Sequence, residues 1–219
     1  MRRPKLVVFD IDGTLVDSRA LILRAMREAC AACGLKAPAY EAVRRGIGLS
    51  LREAVSEAMP GLEADRLDHL EAAYRRAYQA MVAEPGFIEP LFPGAAELVS
   101  GLSKAGVKLS LATGKSRRGM ERVVAAQGWD VVLTSRHCAE DGPGKPDPAM
   151  LAAAMRASSA SPERTVMVGD TGHDVRMALA CGAWAQAVTW GFHTAEELAE
   201  AGAHHIAISF EELGARLLD

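Results

Sequence analysis

The sequence has no excess of charge of either sign and no long apolar run. Its 219 residues carry 25 Lys and Arg against 28 Asp and Glu, a formal net charge of −3. This balance argues against the basic surface that binds nucleic acid or an anionic membrane. No apolar run approaches the roughly 20 residues of a membrane-spanning helix, and the first residues lead into a strand-like segment instead of a signal-peptide core. We therefore expect a cytoplasmic protein that acts on a small molecule.

Cysteine and aromatic residues are also scarce. The four cysteines are Cys30, Cys33, Cys138 and Cys181, and aromatic residues make up 5% of the chain. Their number and uneven spacing do not fit the disulfide framework of a secreted domain. Cys30 and Cys33 form a CxxC pair at the end of an amphipathic segment, with the next cysteine far along the chain. This placement predicts packing in preference to zinc or redox chemistry.

Hydrophobic residues, at 49% of the chain, are sufficient for a packed core. Residues 6–9 form a continuous apolar run, typical of a parallel strand buried on both faces. After Gly94 strands alternate with helices, and the further strands are predicted at 107–112, 131–134, 166–169, 185–189 and 206–209. This alternation predicts an α/β fold with a doubly wound parallel sheet.

Residues 18–81 have helical spacing and few β-branched runs, which predicts an all-helical lobe between the first two strands. Residues 84–94 are rich in Pro and Gly and are expected to return the chain to the core. The predicted organisation is a core of residues 1–16 and 92–219 with an inserted helical domain at 17–91.

Ligands of open parallel sheets bind beyond the carboxyl ends of the strands. The first predicted strand leads into Asp10 and Asp12, the next into Thr113 and Gly114, and a later strand into Asp170 with Asp174 one helical turn on. A separate loop supplies Lys145, just before a predicted helix. We expect these side chains to lie on one rim.

Their order resembles the haloacid dehalogenase superfamily of phosphotransferases over nearly the whole chain. The family's first motif, DxDGT followed by LVDS, stands complete at residues 10–18. Its threonine matches Thr113, its lysine matches Lys145 in GKPDP, and its terminal acidic motif matches Asp170 and Asp174 in GDTGHD. The resemblance implies a Rossmann-like core with the small helical cap of subfamily I. Residues 188–198 are similar to the phosphoglycolate phosphatase branch.

The resemblance also implies roles for these residues. Asp10 would be the nucleophile that takes the phosphoryl group, and Asp12 the acid and then the base. Thr113, the Gly114 backbone and Lys145 would bind and neutralise the phosphate. Related phosphatases often carry Asn where Gly114 stands.

A divalent metal is implied as well. Asp10, Asp170 and the backbone carbonyl of Asp12 would hold Mg²⁺, a cation that favours a sparse set of hard oxygen ligands and retains waters. Asp174 would act behind them by steering Lys145 or a metal-bound water. Arg45, between two cap helices, is a further candidate for substrate binding.

The predicted function is Mg²⁺-dependent hydrolysis of a small phosphomonoester through an aspartyl-phosphate intermediate, with phosphoglycolate as the leading substrate. The expected partner is a small phosphorylated metabolite, with no nucleic acid or membrane, and the expected assembly is a monomer or homodimer. Two alternatives stay open at this point: a phosphomutase similar to β-phosphoglucomutase, and a non-enzymatic phospho-receiver signalling module.

Overall fold

The computed structural model describes residues 3–218. Its strands are β1 (Leu6–Phe9), β2 (Lys108–Ala112), β3 (Leu133–His137), β4 (Thr165–Gly169), β5 (Trp184–Val188) and β6 (His205–Ala207). Its α-helices are α1 (Arg19–Ala32), α2 (Tyr40–Arg45), α3 (Leu51–Ala58), α4 (Ala64–Val82), α5 (Ala95–Lys104), α6 (Arg117–Gln127), α7 (Ala149–Ser158), α8 (Gly172–Ala180), α9 (Ala195–Glu200) and α10 (Phe210–Leu218).

The six strands form one parallel sheet in the order β3-β2-β1-β4-β5-β6. Strand β1 lies between β2 and β4, and the winding direction reverses there. This arrangement places the carboxyl ends of β1 and β4 at the point where doubly wound sheets bind ligands. The predicted fold class is confirmed.

Side chains of the central strands alternate between two hydrophobic clusters. Val7 and Phe9 of β1 pack on the face covered by α5, α6 and α10. Leu6 and Val8 pack on the opposite face, against α7, α8 and α9. Helices therefore cover both faces of the sheet, which explains why all four residues of β1 are apolar.

Helices α1 to α4 form a third hydrophobic cluster between β1 and β2, in which α1 packs along α4. The chain enters and leaves this helical segment through two neighbouring stretches. The Asp17 amide donates to the Pro90 carbonyl at 2.8 Å and the Phe92 amide donates to the Leu15 carbonyl at 3.0 Å. We call residues 15–17 and 90–92 the crossing. The exact domain boundaries stay a prediction.

Strand β3 begins two residues later than the sequence predicts. Residues 129–131 form a 3₁₀ turn instead, immediately after Gly128 ends α6 with a φ of +66°. Val131 is 90% exposed there. The apolar residue that suggested a strand therefore contributes nothing to the core.

Two smaller findings concern predicted absences. All four cysteines are free thiols, and Cys30 is buried in the helical cluster. Within residues 3–218, none of the helices has the length and apolar character to cross a membrane.

Candidate active site

Three strand ends and one loop bring the predicted site residues together. Asp10 follows β1, Thr113 follows β2 and Asp170 follows β4, all buried at the same edge of the sheet. Lys145 reaches this edge from the loop between β3 and α7.

Lys145 bridges two of the carboxylates. Its Nζ lies 2.8 Å from Oδ1 of Asp10 and 2.7 Å from Oδ1 of Asp174, and its side chain is fully buried. Burial alone would lower the pKa of Lys145, but the two carboxylates raise it, so the ammonium stays protonated. Asp174 is held in turn by Thr171, whose Oγ1 donates to its Oδ2 at 2.7 Å in the capping box of α8.

Asp170 lies in a close-fitting cradle. Thr14 Oγ1 donates to its Oδ1 at 2.7 Å, and the amide of Phe192 donates to its Oδ2 at 2.9 Å. A Cβ on Gly13 or Gly191 would collide with the Asp170 carboxylate. Gly13 has a φ of +85°, so glycine is required there for backbone reasons too.

The electrostatics of this cluster fit a divalent cation. One carboxylate oxygen from each of Asp10, Asp170 and Asp174 lies within 4.8 Å of the others, and all three residues are buried. When ionised, the three carboxylates carry three negative charges, whereas Lys145 supplies one positive charge. Burial raises the pKa of Asp10 to about 6. The positive charge of Lys145 opposes this rise, and the negative charge of Asp174 adds to it. Burial, together with Asp10 and Asp174, raises the pKa of Asp170 well above its ordinary value.

Asp10 also has an orphaned oxygen. Its buried Oδ2 has no hydrogen-bond partner within the part of the chain that the structure describes. A buried carboxylate oxygen without a donor is costly unless a cation or ligand completes it. The hard oxygen donors therefore fit a divalent metal ion.

Asp12 belongs to a second polar cluster. Its Oδ1 lies 2.7 Å from Nζ of Lys115, which also lies 2.8 Å from Oε2 of Glu89. Lys115 donates to the hydroxyl of Tyr78 at 3.0 Å, and Arg122 pairs with Glu89. Burial would lower the pKa of Lys115, but Asp12, Tyr78 and Glu89 raise it well above its ordinary value.

A cavity of about 380 Å³ lies between the sheet edge and the helical segment. Asp10, Asp12 and Thr113 line its floor. The opposite wall includes Arg52 of α3, together with Tyr78 of α4. The volume is suited to a small molecule.

The loop Gly46–Ser50 of the helical segment packs directly on Gly114. A Cβ at Gly114 would lie 2.7 Å from the carbonyl oxygen of Gly48 and collide with that of Leu49. Glycine at this position therefore permits a contact that an asparagine side chain would block. Thr113 accepts a hydrogen bond from the Lys115 amide at 3.2 Å through Oγ1, and lines the cavity.

Arg45 is not brought to this cavity. Its side chain is exposed, and its carbonyl contacts the ring of His173. The neighbouring Arg44 is buried and pairs with Glu41 and Glu197. The role of Arg45 in substrate binding stays a prediction.

Several polar partners of the predicted residues were not identified from the sequence. Thr14 lies inside the first motif and Lys115 follows Gly114, so both stood in segments already singled out. Glu89 and Tyr78 gave no local signal, because their positions matter only after the helical segment folds back over the core.

Comparisons with known proteins agree with this geometry. The haloacid dehalogenase-like hydrolase family matches residues 7–188. A protein of Dickeya dadantii (strain 3937) named "Probable phosphatase IndB" is 34% identical over 216 residues, which cover 95% of this chain and 91% of that protein. The phosphoglycolate phosphatase of Pseudomonas fluorescens is 31% identical over 205 residues, covering 91% of this chain and 74% of that protein. The crystal structure of CbbY from Rhodobacter sphaeroides in complex with phosphate has a TM-score of 0.81 at 27% identity and covers 96% of both chains.

Proposed function

The chain belongs to the haloacid dehalogenase-like hydrolase family and is a phosphatase of that family, and we propose that it hydrolyses a small phosphomonoester with Mg²⁺ through a phosphoryl-aspartate at Asp10. The observation that carries this proposal is the buried Asp10 carboxylate, with one oxygen on Lys145 and the other without a hydrogen-bond partner among the described residues 3–218.

In the first step Asp10 attacks phosphorus and the bond from phosphorus to the leaving oxygen breaks. Asp12, which lines the same cavity, gives its proton to that oxygen. In the second step the Asp12 carboxylate removes a proton from water as the water attacks the phosphoryl-aspartate. Asp10 is regenerated, inorganic phosphate is released and Asp12 is again protonated.

The remaining groups bind charge. Lys145 balances the negative charge that accumulates on Asp10 and the phosphoryl oxygens, and Thr113 with the Gly114 amide binds those oxygens. Asp10, Asp170 and the Asp12 carbonyl would hold Mg²⁺, while Asp174 holds Lys145 at 2.7 Å. The bound cation supplies charge neutralisation between the nucleophile and the phosphate.

We propose residues 17–91 as the cap domain over a core of residues 1–16 and 92–219. The loop Gly46–Ser50 on Gly114 would close the cavity to bulk water and to large substrates. A small phosphorylated metabolite is therefore the expected substrate. Phosphoglycolate is the first candidate because a relative is named phosphoglycolate phosphatase. The cytoplasmic location and the monomeric or homodimeric assembly stay predictions.

The test is release of inorganic phosphate from a panel of small phosphomonoesters, phosphoglycolate among them, with Mg²⁺ and with excess chelator. We expect release that requires Mg²⁺ and no bisphosphate activator. Phosphoryl return to a sugar phosphate only in the presence of a sugar bisphosphate would indicate the phosphomutase instead. The phospho-receiver alternative is set aside, since the chain matches a hydrolase family over most of its length.

A further inference from the structure

Lys115 is buried at the floor of the cavity, and the proposed mechanism gives it no role. We propose that Lys115 is a positioning residue for Asp12, that Glu89 anchors Lys115, and that this contact links the acid/base carboxylate to the cap through Tyr78. The inference rests on the proposed function, since it assigns a supporting group to the proton transfers by Asp12.

The Lys115 ammonium contacts three groups, two through hydrogen bonds and one through an ion pair. They are Oδ1 of Asp12 at 2.7 Å, Oε2 of Glu89 at 2.8 Å and the Tyr78 hydroxyl at 3.0 Å. A lysine ammonium has three N–H donors and no acceptor, and two of them are used in hydrogen bonds to Asp12 and Tyr78 while Glu89 pairs with its charge. Because its side chain is only 5% exposed, a substrate phosphate would have to compete with these three close partners for Lys115.

The charges of this cluster also balance internally. Lys115 and Arg122 supply two positive charges, and Glu89 together with Asp12 in its carboxylate form supplies two negative charges. The Lys145 cluster, in contrast, has an excess of negative charge. A cation that neutralises the substrate phosphate is therefore expected to bind at the Lys145 cluster, whereas Lys115 holds Asp12.

Lys115 fixes one Asp12 oxygen and leaves the other for chemistry. No group within residues 3–218 donates a hydrogen bond to Oδ2 of Asp12, while Asp12 lines the cavity. A general acid must be held within hydrogen-bond reach of the atom it protonates. Loss of the Lys115 contact frees the Asp12 side chain to rotate away from the leaving oxygen.

The partners of Lys115 come from different parts of the molecule. Glu89 immediately precedes Pro90, whose carbonyl accepts from Asp17 in the crossing. Tyr78 belongs to α4, and its ring lies 5.5 Å from Nζ of Lys115. A displacement of α4 or of the crossing therefore acts on the contact that holds Asp12.

Lys115→Met tests this role through leaving groups of different acidity. An alkyl phosphate needs its leaving oxygen protonated, whereas dinitrophenyl phosphate does not. With the alkyl phosphate we expect kcat to fall at least about tenfold, within the range of general acid catalysis, while KM changes less than about threefold. With dinitrophenyl phosphate we expect a rapid burst of dinitrophenolate, followed by slow turnover because the second step still needs Asp12 as base.

The matched control is Lys104→Met, which removes an exposed lysine at the end of α5; it should match the wild type on both substrates. The double variant Asp12→Asn with Lys115→Met should be no slower than Asp12→Asn alone, because residues that act as a unit are not additive. The proposal would be overturned by additive losses in the double variant. It would also be overturned if Lys115→Met lowered the burst phase and alkyl phosphate hydrolysis equally, or raised KM at unchanged kcat.

Glu89→Gln provides a second variant that keeps Lys115 and retains the shape of residue 89. We expect a smaller loss than for Lys115→Met, with the same dependence on leaving-group acidity. If Lys115→Met does not fold, a Glu89→Gln enzyme with the leaving-group dependence of the wild type overturns the proposal on its own. Absence of any phosphatase activity in the wild type would instead refute the proposed function, so the two failures are distinguishable.

Discussion

The two buried lysines of the site differ in where their partners come from. Lys145 contacts Asp10, which follows β1, and Asp174, which lies in the first turn of α8 after β4, so both partners belong to the core. Lys115 contacts Asp12 of the core, Glu89 beside the crossing and Tyr78 of α4. Both side chains are almost completely buried, so burial alone does not distinguish them.

This difference separates two tasks. The groups proposed to react at phosphorus are held by side chains and amides that follow the strands of the core, and Lys145 has no contact with the helical segment in its two ion pairs. The group proposed to move protons is held by a cluster that joins core and helical segment. The comparison predicts that variants around Lys145 affect every substrate alike, whereas variants around Lys115 discriminate by leaving group.

The largest effect is expected from Asp10→Asn, since an amide is not a useful nucleophile toward phosphorus. Turnover should fall by at least about a thousandfold for every leaving group. Asp65→Asn, on an exposed aspartate of α4, is the matched control and should retain wild-type rates. More than a few per cent of wild-type activity in a folded Asp10→Asn enzyme would refute Asp10 as the nucleophile.

Lys145→Met should follow, with kcat lower by about a hundredfold or more for alkyl and aryl phosphates alike, as expected for loss of a preorganised positive charge. The burst phase with dinitrophenyl phosphate should be slowed as well, in contrast to Lys115→Met. A decrease of less than tenfold would place the phosphate-neutralising cation elsewhere, and the division between the two lysines would be wrong. Thermal unfolding of the variant shows whether the fold is retained.

Metal exchange tests the core cluster without touching its lysine. Ca²⁺ accepts more ligands than Mg²⁺ and often binds carboxylates through both oxygens, so it should occupy Asp10 and block attack. We expect inhibition by Ca²⁺ that is competitive with Mg²⁺, and a higher Mg²⁺ requirement in Asp170→Asn. Titrations of Mg²⁺ at several fixed Ca²⁺ concentrations measure both. Full activity with Ca²⁺ alone would contradict the proposed geometry.

Gly114→Ala is expected to have a moderate effect, because the added Cβ would lie 2.7 Å from the Gly48 carbonyl oxygen. The loop Gly46–Ser50 would have to move outward, raising KM several-fold, whereas the Lys145 cluster would be left intact. Gly101→Ala in α5 is the control, since its Cβ would meet no atom within 4 Å. Unchanged KM in Gly114→Ala would show that this contact does not influence substrate binding.

The smallest effect concerns the Arg44–Glu197 pair, which joins α2 to α9. A hydrogen bond from Arg44 lowers the pKa of Glu197 to about 2, from an ordinary value of 4.5. A carboxyl whose pKa is lower in the folded state stabilises the fold above its unfolded pKa, and this stability is lost as the pH falls from 4.5 to about 2.

Unfolding temperatures of the wild type and Glu197→Gln should therefore differ near neutral pH and converge in acid, with Glu200→Gln as the control. A difference in unfolding temperature that persists unchanged at low pH would show that the pair does not stabilise the fold through its charge.

The sequence predicted the sheet and the strand-end residues because both depend on local patterns. A continuous apolar run ending in Asp10 identifies a central strand, and Thr113 and Asp170 follow strands in the same manner. The contacts of Lys115 with Glu89 and Tyr78 were not predictable, since these two residues reach it only when the helical segment packs on the core. Arg45 lies outside the cavity lining, and its position likewise depends on how its short helix packs against its neighbours.

Direct identification of the phosphorylated residue tests the central claim most sharply. An acyl phosphate is reduced by borohydride to the alcohol, so Asp10 of an enzyme quenched during turnover should appear as homoserine in its peptide mass spectrum. The Lys115→Met enzyme, in which the second step is slowed, should contain more of this product than the wild type. Reduction at another carboxylate, or none at Asp10 while turnover proceeds, would contradict the account.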